Sequence, residues 1–494
     1  MLFSSPAFIL LYLPIVFLGY FFLNRVHLTL IAKIWLVFSS LFFYAYWKIA
    51  YLPILLGSVI FNFFIGSAVS VGLTFGRSLI SRRLILILGI IANLALLGYF
   101  KYATFFLDNI NTTFNTAYVL PPIILPLGIS FFTFTQIAFL VDSYRGEAQE
   151  YTFLNYLQFV VFFPYLIAGP IVHHREMMPQ FQSRWNMAVR YQNIICGLFI
   201  FSIGLFKKLI ISDTFAIWAN AGFNAGGPSL DFFSAWGASL SYTFQLYFDF
   251  SGYCDMGIGA ALLFNIQLPI NFNSPYKALD IRDFWQRWHM TLSRYLRDYL
   301  YIPLGGNRCS NLRNHFNLMA TFVLAGFWHG ASWMFIIWGT LHGVALIVHR
   351  VWNRSGFRMP KALAWLLTFN FINIAWVFFR AKTMDDALKV LRGMADVGSI
   401  FNVPIESIPT AFLAWGGWLS DYLLNWLPTG LAANLLCFSF VGLSFGIISQ
   451  KNSFELMNSG DYGMAKLFGS VILFCIAIYA SLATKSPLFL YFNF

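Results

Sequence analysis

Apolar positions in this chain fall in long blocks, not in the period-two alternation of strands. The blocks are 7–23, 30–47, 51–73, 84–100, 121–141, 152–171, 192–211, 232–263, 316–348, 361–379, 428–449 and 466–484. Each approaches or exceeds the ~20 residues that cross a bilayer as a helix. A membrane β-barrel would show segments of about ten alternating residues instead. The pattern predicts an all-α polytopic membrane protein with about 11–13 membrane segments, some re-entrant or interfacial. Blocks 232–263 and 316–348 are longer than one crossing needs. At about 1.5 Å per residue each covers close to 50 Å, against ~30 Å of hydrocarbon. Each is therefore a kinked or tilted helix, or two helices joined by a tight turn. Gly326, Gly330, Gly339 and Gly343 offer places for a break in the second.

Composition agrees: the 494 residues are 59% hydrophobic and 10% charged, with mean hydropathy +0.69. Soluble domains carry about 25% charged residues. The net charge of +12 reads as cytoplasmic loops and anionic lipid contact, not nucleic-acid binding, since the basic residues flank apolar blocks. They cluster at Arg77/Arg82/Arg83, at Arg175/Arg184/Arg190 and in 277–313. The positive-inside rule puts all three clusters in the cytoplasm. Simple hairpins cannot do this, which favours re-entrant segments. The first block lacks a basic n-region and a small-residue cleavage pattern, so it reads as a retained helix. Cys196, Cys254, Cys309, Cys437 and Cys475 are scattered without a CxxC, and indicate neither a disulfide frame nor a zinc site. With no repeat or linker, 1–494 reads as one integral membrane domain.

Three segments carry candidate chemistry. Segment 281–301 reads as one interfacial helix, with Phe284, Trp288, Leu292, Tyr295 and Tyr299 on one stripe. Asp283/Arg287 and Arg294/Asp298 are i,i+4 pairs opposite. His289 falls on its apolar side. In GFWHGASW, His329 lies thirteen residues past Phe316, about 20 Å of helix from the basic loop. An ionisable side chain at that depth marks function by default, usually at a water-filled cavity. Apolar surroundings favour the neutral imidazole, which accepts a proton. The alternative is interhelical hydrogen-bonding glue. His342 lies in the same block, about 220° around a straight helix, so both line one cavity only if the helix breaks. Third, Ser241, Gln245, Asp249 and Tyr253 recur every four residues. Asp249 must meet an arginine or line the same cavity, and structural glue is an equal alternative. The adjacent pair His173–His174 is a poor metal site, and no P-loop, GxGxxG or GxSxG pattern is present.

LPLGISFFTFT (125–135), DSYRG (142–146), FFPYLIAGPIVHHREMMPQF (162–181), YFDFSGYCDMGIG (247–259), the run from NFNSPYK to LGGNR (271–308), FWHGASWMFIIWGTLHG (327–343) and WVFFRA (376–381) follow one another in order. Together they resemble the bacterial branch of the membrane-bound O-acyltransferases, of the alginate O-acetyltransferase type. Beyond about residue 400 the likeness is to generic membrane helix. The resemblance implies a central catalytic tunnel in a bacterial inner-membrane enzyme. Acetyl-CoA would be the acyl-donor substrate, with no bound cofactor or metal. The acetyl group would pass outward to hydroxyls of an exported, alginate-like polysaccharide, directly or through a periplasmic acetylation protein. By the same resemblance His329 is the catalytic base. His289 takes a position that is asparagine in eukaryotic relatives, which suits an orienting role. Asp249, Gln245, Trp328, Asn307 and Arg287 are candidate substrate contacts, and the arginine-rich face 282–313 is a dock for the phosphates of coenzyme A.

The tail SPLFLYFNF places Phe489, Tyr491, Phe492 and Phe494 after Pro487. It reads as an interfacial aromatic anchor. It also resembles the tyrosine-bearing tail of small partner peptides in D-alanylation, which makes Tyr491 a candidate acyl relay. Cellulose, peptidoglycan and teichoic acid are alternative acceptors for the same fold. A transporter or flippase of lipid-linked sugar is the reading from another class. It calls for a polar path across the whole membrane, whereas the buried polar residues here concentrate in 241–343.

Overall fold

The structure, a computed structural model, describes residues 1–494 apart from 72–73, 76–77, 80, 149, 151, 228, 402–428, 459–463, 484–489 and 491–494. Ala7–Arg25 (α1), Thr29–Ala45 (α2), Leu52–Val71 (α3), Arg82–Phe114 (α4) and Ile129–Arg145 (α5) come first. Tyr191–Phe223 (α6) and Phe232–Leu263 (α7) follow as a long antiparallel pair. Ile281–Arg287 (α8) and Met290–Leu296 (α9) are short, and Asn311–His329 (α10) and Trp333–Ser355 (α11) form a hairpin. Lys361–Arg380 (α12), Met384–Ala395 (α13), Thr429–Ser449 (α14) and Met464–Ala483 (α15) complete the helices used below. A two-residue ladder joins Thr74–Phe75 to Ser78–Leu79 between α3 and α4. The chain is a multi-pass, all-α membrane protein. Among the described residues six helices are long and apolar enough to cross a bilayer, with Thr29–Ala45 and Leu467–Ala483 shorter.

Several expected spans became something else, for local reasons. Pro121, Pro122 and Pro126 lack the N–H a helix needs, and α5 begins only at Ile129. Block 152–171 folds as short helices Phe153–Val161 and Phe163–Leu166, then a buried loop holding Pro170. Of the two over-long blocks, 232–263 is one unbroken helix. Every residue of α7 from Ser241 to Leu263 is buried, so its surroundings are protein, not lipid. Glycines permit this on the α6 side. A Cβ at Gly197 or Gly259 would stand 2.8 or 2.6 Å from the other's carbonyl oxygen, and Gly204 and Gly252 repeat the pattern at 2.6 and 2.8 Å. Small residues let membrane helices approach this closely. Polar side chains of α7, Asp249 of the stripe among them, find partners on its neighbours. Asn373 Oδ1 accepts from Ser239 (3.0 Å) and Thr243 (2.7 Å), and Lys208 pairs with Asp249 at 2.8 Å. The expected partner of Asp249 was an arginine or a cavity. The lysine comes from a π-helical turn, Lys207–Ser212, within α6.

The basic clusters share one face. Arg82 donates to the Tyr144 carbonyl (3.3 Å) and Arg145 to that of Asp298 (3.4 Å), while Arg294 forms a two-pronged pair with Glu176 (2.7 and 3.0 Å). Arg77 lies outside the described residues. The expected pair Arg294/Asp298 does not form, because Glu176 takes Arg294 and Arg297 takes Asp298 at 2.7 Å. Asp283/Arg287 forms as expected, at 2.7 Å.

Block 316–348 breaks at Gly330–Ser332. Gly330 is extended (φ −167°), and Ser332 Oγ accepts from the Met334 N–H to start α11. The hairpin closes because Gly326 and Gly339 face each other. A Cβ on Gly326 would lie 3.1 Å from the Gly339 Cα and overlap the Phe335 carbonyl oxygen. Gly326→Ala is therefore expected to destabilise the protein by about 1–3 kcal/mol, read as a lower Tm in detergent. Gly442→Ala in α14, where an added Cβ meets nothing within 4 Å, should leave Tm unchanged.

Candidate active site

His329 is the last residue of α10 and is 2% exposed. Its ring sits in an aromatic box, with centroids 4.9 Å from Trp328, 5.1 Å from Trp338 and 5.2 Å from Phe379. His289 faces it at 6.5 Å. His342 meets the far side of Trp338 at 4.8 Å and accepts from Trp285 Nε1 at 3.2 Å. The break at Gly330 thus brings both histidines of the block to one cluster, which a straight helix would prevent.

The expected helix 281–301 does not exist as one helix, and the interruption is at the second histidine. Trp288 is extended and His289 adopts φ +42°, ψ +53°. The cause is Asn271, whose backbone carbonyl accepts from Met290 N–H (3.0 Å). Its Oδ1 accepts from Thr291 N–H (3.2 Å) and Thr291 Oγ1 (2.9 Å) and faces His289 Nδ1 at 3.1 Å. Since Thr291 N–H can only donate, Oδ1 is an acceptor there. His289 Nδ1 therefore carries its proton, and the neutral ring presents Nε2 as an acceptor. Positive φ suits few residue types, asparagine among them. His289 is fully buried and packs edge-on to Phe250 at 4.8 Å.

Two cavities approach this cluster from opposite faces. One, of about 1420 Å³, opens on the basic face. Its lining includes Arg282, Arg294, Arg297, Arg350 and Arg354, together with Met290 and Thr291 beside His289 in the chain. It exceeds the ~300–1,000 Å³ of ordinary ligand pockets. The other, of about 500 Å³, begins at Ala331 and Ser332 and is lined by Trp333, Asp108, Asn109, Thr112, Thr113 and Thr383 among others. Neither includes His329 or His289. The expected central tunnel is represented by these two cavities with the aromatic box between them.

A family model, MBOAT, the membrane-bound O-acyltransferase family, matches residues 17–384. The chain belongs to this family. It is similar to the peptidoglycan O-acetyltransferase of Helicobacter pylori, 48% identical over 100% of this chain and 98% of that protein. The probable alginate O-acetylase of Pseudomonas aeruginosa is 40% identical over 81% of this chain and 76% of its own. The teichoic acid D-alanyltransferase of Streptococcus thermophilus is 28% identical over 52% and 69%. As a membrane-bound O-acyltransferase the protein is an enzyme, and the transporter reading falls away.

Within this acyltransferase the expected site residues are dispersed. Trp328 borders both histidines and stacks on Phe134 at 5.0 Å. Asn307 lines the basic cavity. Arg287 turns to Asp283 and to the Asn273 carbonyl. Asp249 is engaged by Lys208, and Gln245 is buried one turn away on α7. Tyr491 lies outside the described residues. His173 faces the Tyr299 hydroxyl, which donates to Asp142 at 2.7 Å, and His174 faces Glu150. Asn271 had no periodic signature. Lys101, whose ammonium donates to the carbonyls of Trp328 and His329, falls one residue past the block 84–100, where hydropathy gives it no signal. Asn271→Leu is expected to lower turnover by at least about tenfold and to be non-additive with His289→Asn, since both act through one contact. A double-mutant cycle on acyl transfer checks this.

Proposed function

We propose that this acyltransferase takes acetyl from acetyl-CoA on its basic, cytoplasmic face of the bacterial inner membrane and delivers it to a hydroxyl on the opposite face, with a cell-wall glycan as final acceptor. The observation that carries the reading is His329 at the apex of the α10–α11 hairpin, between a large arginine-lined cavity and a smaller one lined by hydroxyl and amide side chains with Asp108 and Lys382. Arginine side chains suit the phosphates of coenzyme A. The pantetheine arm would descend past Met290 and Thr291, with His289 Nε2 accepting from one of its amide N–H groups. Neutral His329 takes the proton of the attacking hydroxyl while its oxygen bonds to the thioester carbonyl carbon. The tetrahedral intermediate then expels the coenzyme A thiolate, which takes the proton back from His329. Base assistance of this kind contributes about 10²–10⁴-fold.

Peptidoglycan is favoured as the acceptor because the peptidoglycan O-acetyltransferase relative matches this chain from end to end. An alginate-like polysaccharide is the second reading, supported by the 40% identical alginate O-acetylase. A periplasmic acetylation protein could stand between enzyme and polymer in either. The tail belongs to the same proposal. Leu490 N–H donates to Asp249 at 2.8 Å, and the next residue of α7, Phe250, packs on His289. With Leu490 held there, the neighbouring Tyr491 is proposed as the relay, its phenol attacking the thioester and then passing acetyl from its phenyl ester to the acceptor.

Labelled acetyl transfer from acetyl-CoA by enzyme in nanodiscs, with peptidoglycan fragments and with alginate as acceptors, tests the reading. His329→Ala should lower transfer about 10²–10⁴-fold while the protein elutes as wild type, and wild-type transfer rejects the base. Arg350→Ala should raise KM for acetyl-CoA about tenfold with kcat little changed, the pattern of lost ground-state binding. Tyr491→Phe should stop transfer, and full acetylation by that variant rejects the relay.

A further inference from the structure

We infer that Lys101 is the positioning residue for His329, an inference that rests on the proposed role of His329 as base. Lys101 projects from α4 at a depth where an ammonium is costly and marks function. Its three N–H donors have three partners: the carbonyls of Trp328 (2.6 Å) and His329 (3.2 Å) and the Ser130 hydroxyl (3.3 Å). The last carbonyls of any helix lack intrahelical donors. Here α10 ends inside the protein, since Gly330 is extended. Tyr102 takes the Phe327 carbonyl at 2.9 Å and stacks on the Phe327 ring at 4.2 Å. Two consecutive residues of α4 therefore close three consecutive carbonyls of α10.

They can do so because Gly98–Tyr102 is a π-helical turn, the kind of local insertion often found at functional sites. Lys101 suits the task better than a neutral donor would. A compact ammonium reaches two carbonyls and a hydroxyl at once, and a cation at a helix C-terminus is favoured by the helix dipole. Its Nζ also lies 5.7 Å from the Trp328 ring centroid, against the wall of the aromatic box. The height and rotation of the imidazole at the end of α10 thus depend on a side chain from another helix. Further along α4, Phe105, Asp108, Asn109 and Thr112 line the outer cavity, so the element that sets His329 also shapes the space on the acceptor side.

The test is steady-state acetyl transfer by full-length enzyme in nanodiscs, using acetyl-CoA and peptidoglycan fragments, for Lys101→Met, Tyr102→Phe and His329→Ala. A misplaced base should lower kcat of Lys101→Met about 100-fold, with KM for acetyl-CoA within about twofold of wild type and the elution profile retained. Tyr102→Phe, which removes only the Phe327 cap, should lose less than about threefold. Lys101→Met in a His329→Ala background should change residual turnover no further. A Lys101→Met enzyme with wild-type kcat overturns the inference, as does one whose only defect is a lower Tm. If Lys101→Met does not fold, Lys101→Gln carries the same test with the same two outcomes. Full activity in His329→Ala would sink the proposed base itself, a result distinct from any involving Lys101.

Discussion

A helix that stops inside hydrocarbon leaves carbonyl groups with no water to take them, and non-helical backbone survives at that depth only where protein satisfies it. Both central histidines of this acyltransferase sit at such stops. At His329 the carbonyls of Phe327, Trp328 and His329 are taken by Tyr102 and Lys101. At His289 the N–H groups of Met290 and Thr291 go to Asn271. An imidazole in mid-helix could only point radially. One at a helix end, held by a third side chain, can be aimed. The two breaks and their caps are therefore one device used twice, and the 6.5 Å between the rings follows from it.

The frame that holds these breaks is α7, and it relies on charge as well as close packing. Lys207 and Lys208, neighbours on a π-helical turn of α6, reach Asp255 (2.7 Å) and Asp249 (2.8 Å) one and a half turns apart on α7. Removing one partner of a buried pair leaves an unpaired charge and costs about 3–5 kcal/mol. Lys101 on α4 and the pair Lys207 and Lys208 on α6 all start from π-helical turns. Such a turn rotates the residues after it relative to those before. A lysine there can face protein while the rest of the helix keeps an apolar face to lipid.

Apolar blocks and basic clusters made the membrane class and the single basic face legible in the sequence. His329 also stood out, as an ionisable group in an uncharged run. What stayed hidden depends on partners distant in the chain. The helical stripe survives as buried side chains from Phe284 to Tyr295, with Tyr299 half-buried, so periodicity alone could not reveal that Asn271, 18 residues before His289, interrupts it. Lys101 was masked by its place at the edge of a block drawn from hydropathy, although α4 continues to Phe114. The over-long blocks had opposite outcomes for a reason visible only in packing. The glycines of 232–263 face another helix along an unbroken axis, whereas Gly330 leaves the helical region.

The division into two cavities bears on how an acyl group would cross. Coenzyme A is bulky and multiply charged, whereas acetyl is small and neutral, and the larger, cationic cavity is on the basic side while the smaller one, lined by hydroxyl and amide side chains with one carboxylate (Asp108) and one ammonium (Lys382), is opposite. Under the proposed function only the acetyl group passes the aromatic box. His329 is 2% exposed, with Trp328, Trp338 and Phe379 around its ring, so under that proposal the thioester would meet it inside an aromatic surround. A barrier of aromatic rings then does what an open tunnel could not. Under the proposed function it would keep water from an activated thioester and from the base beside it, and so limit the hydrolysis that would otherwise compete with transfer.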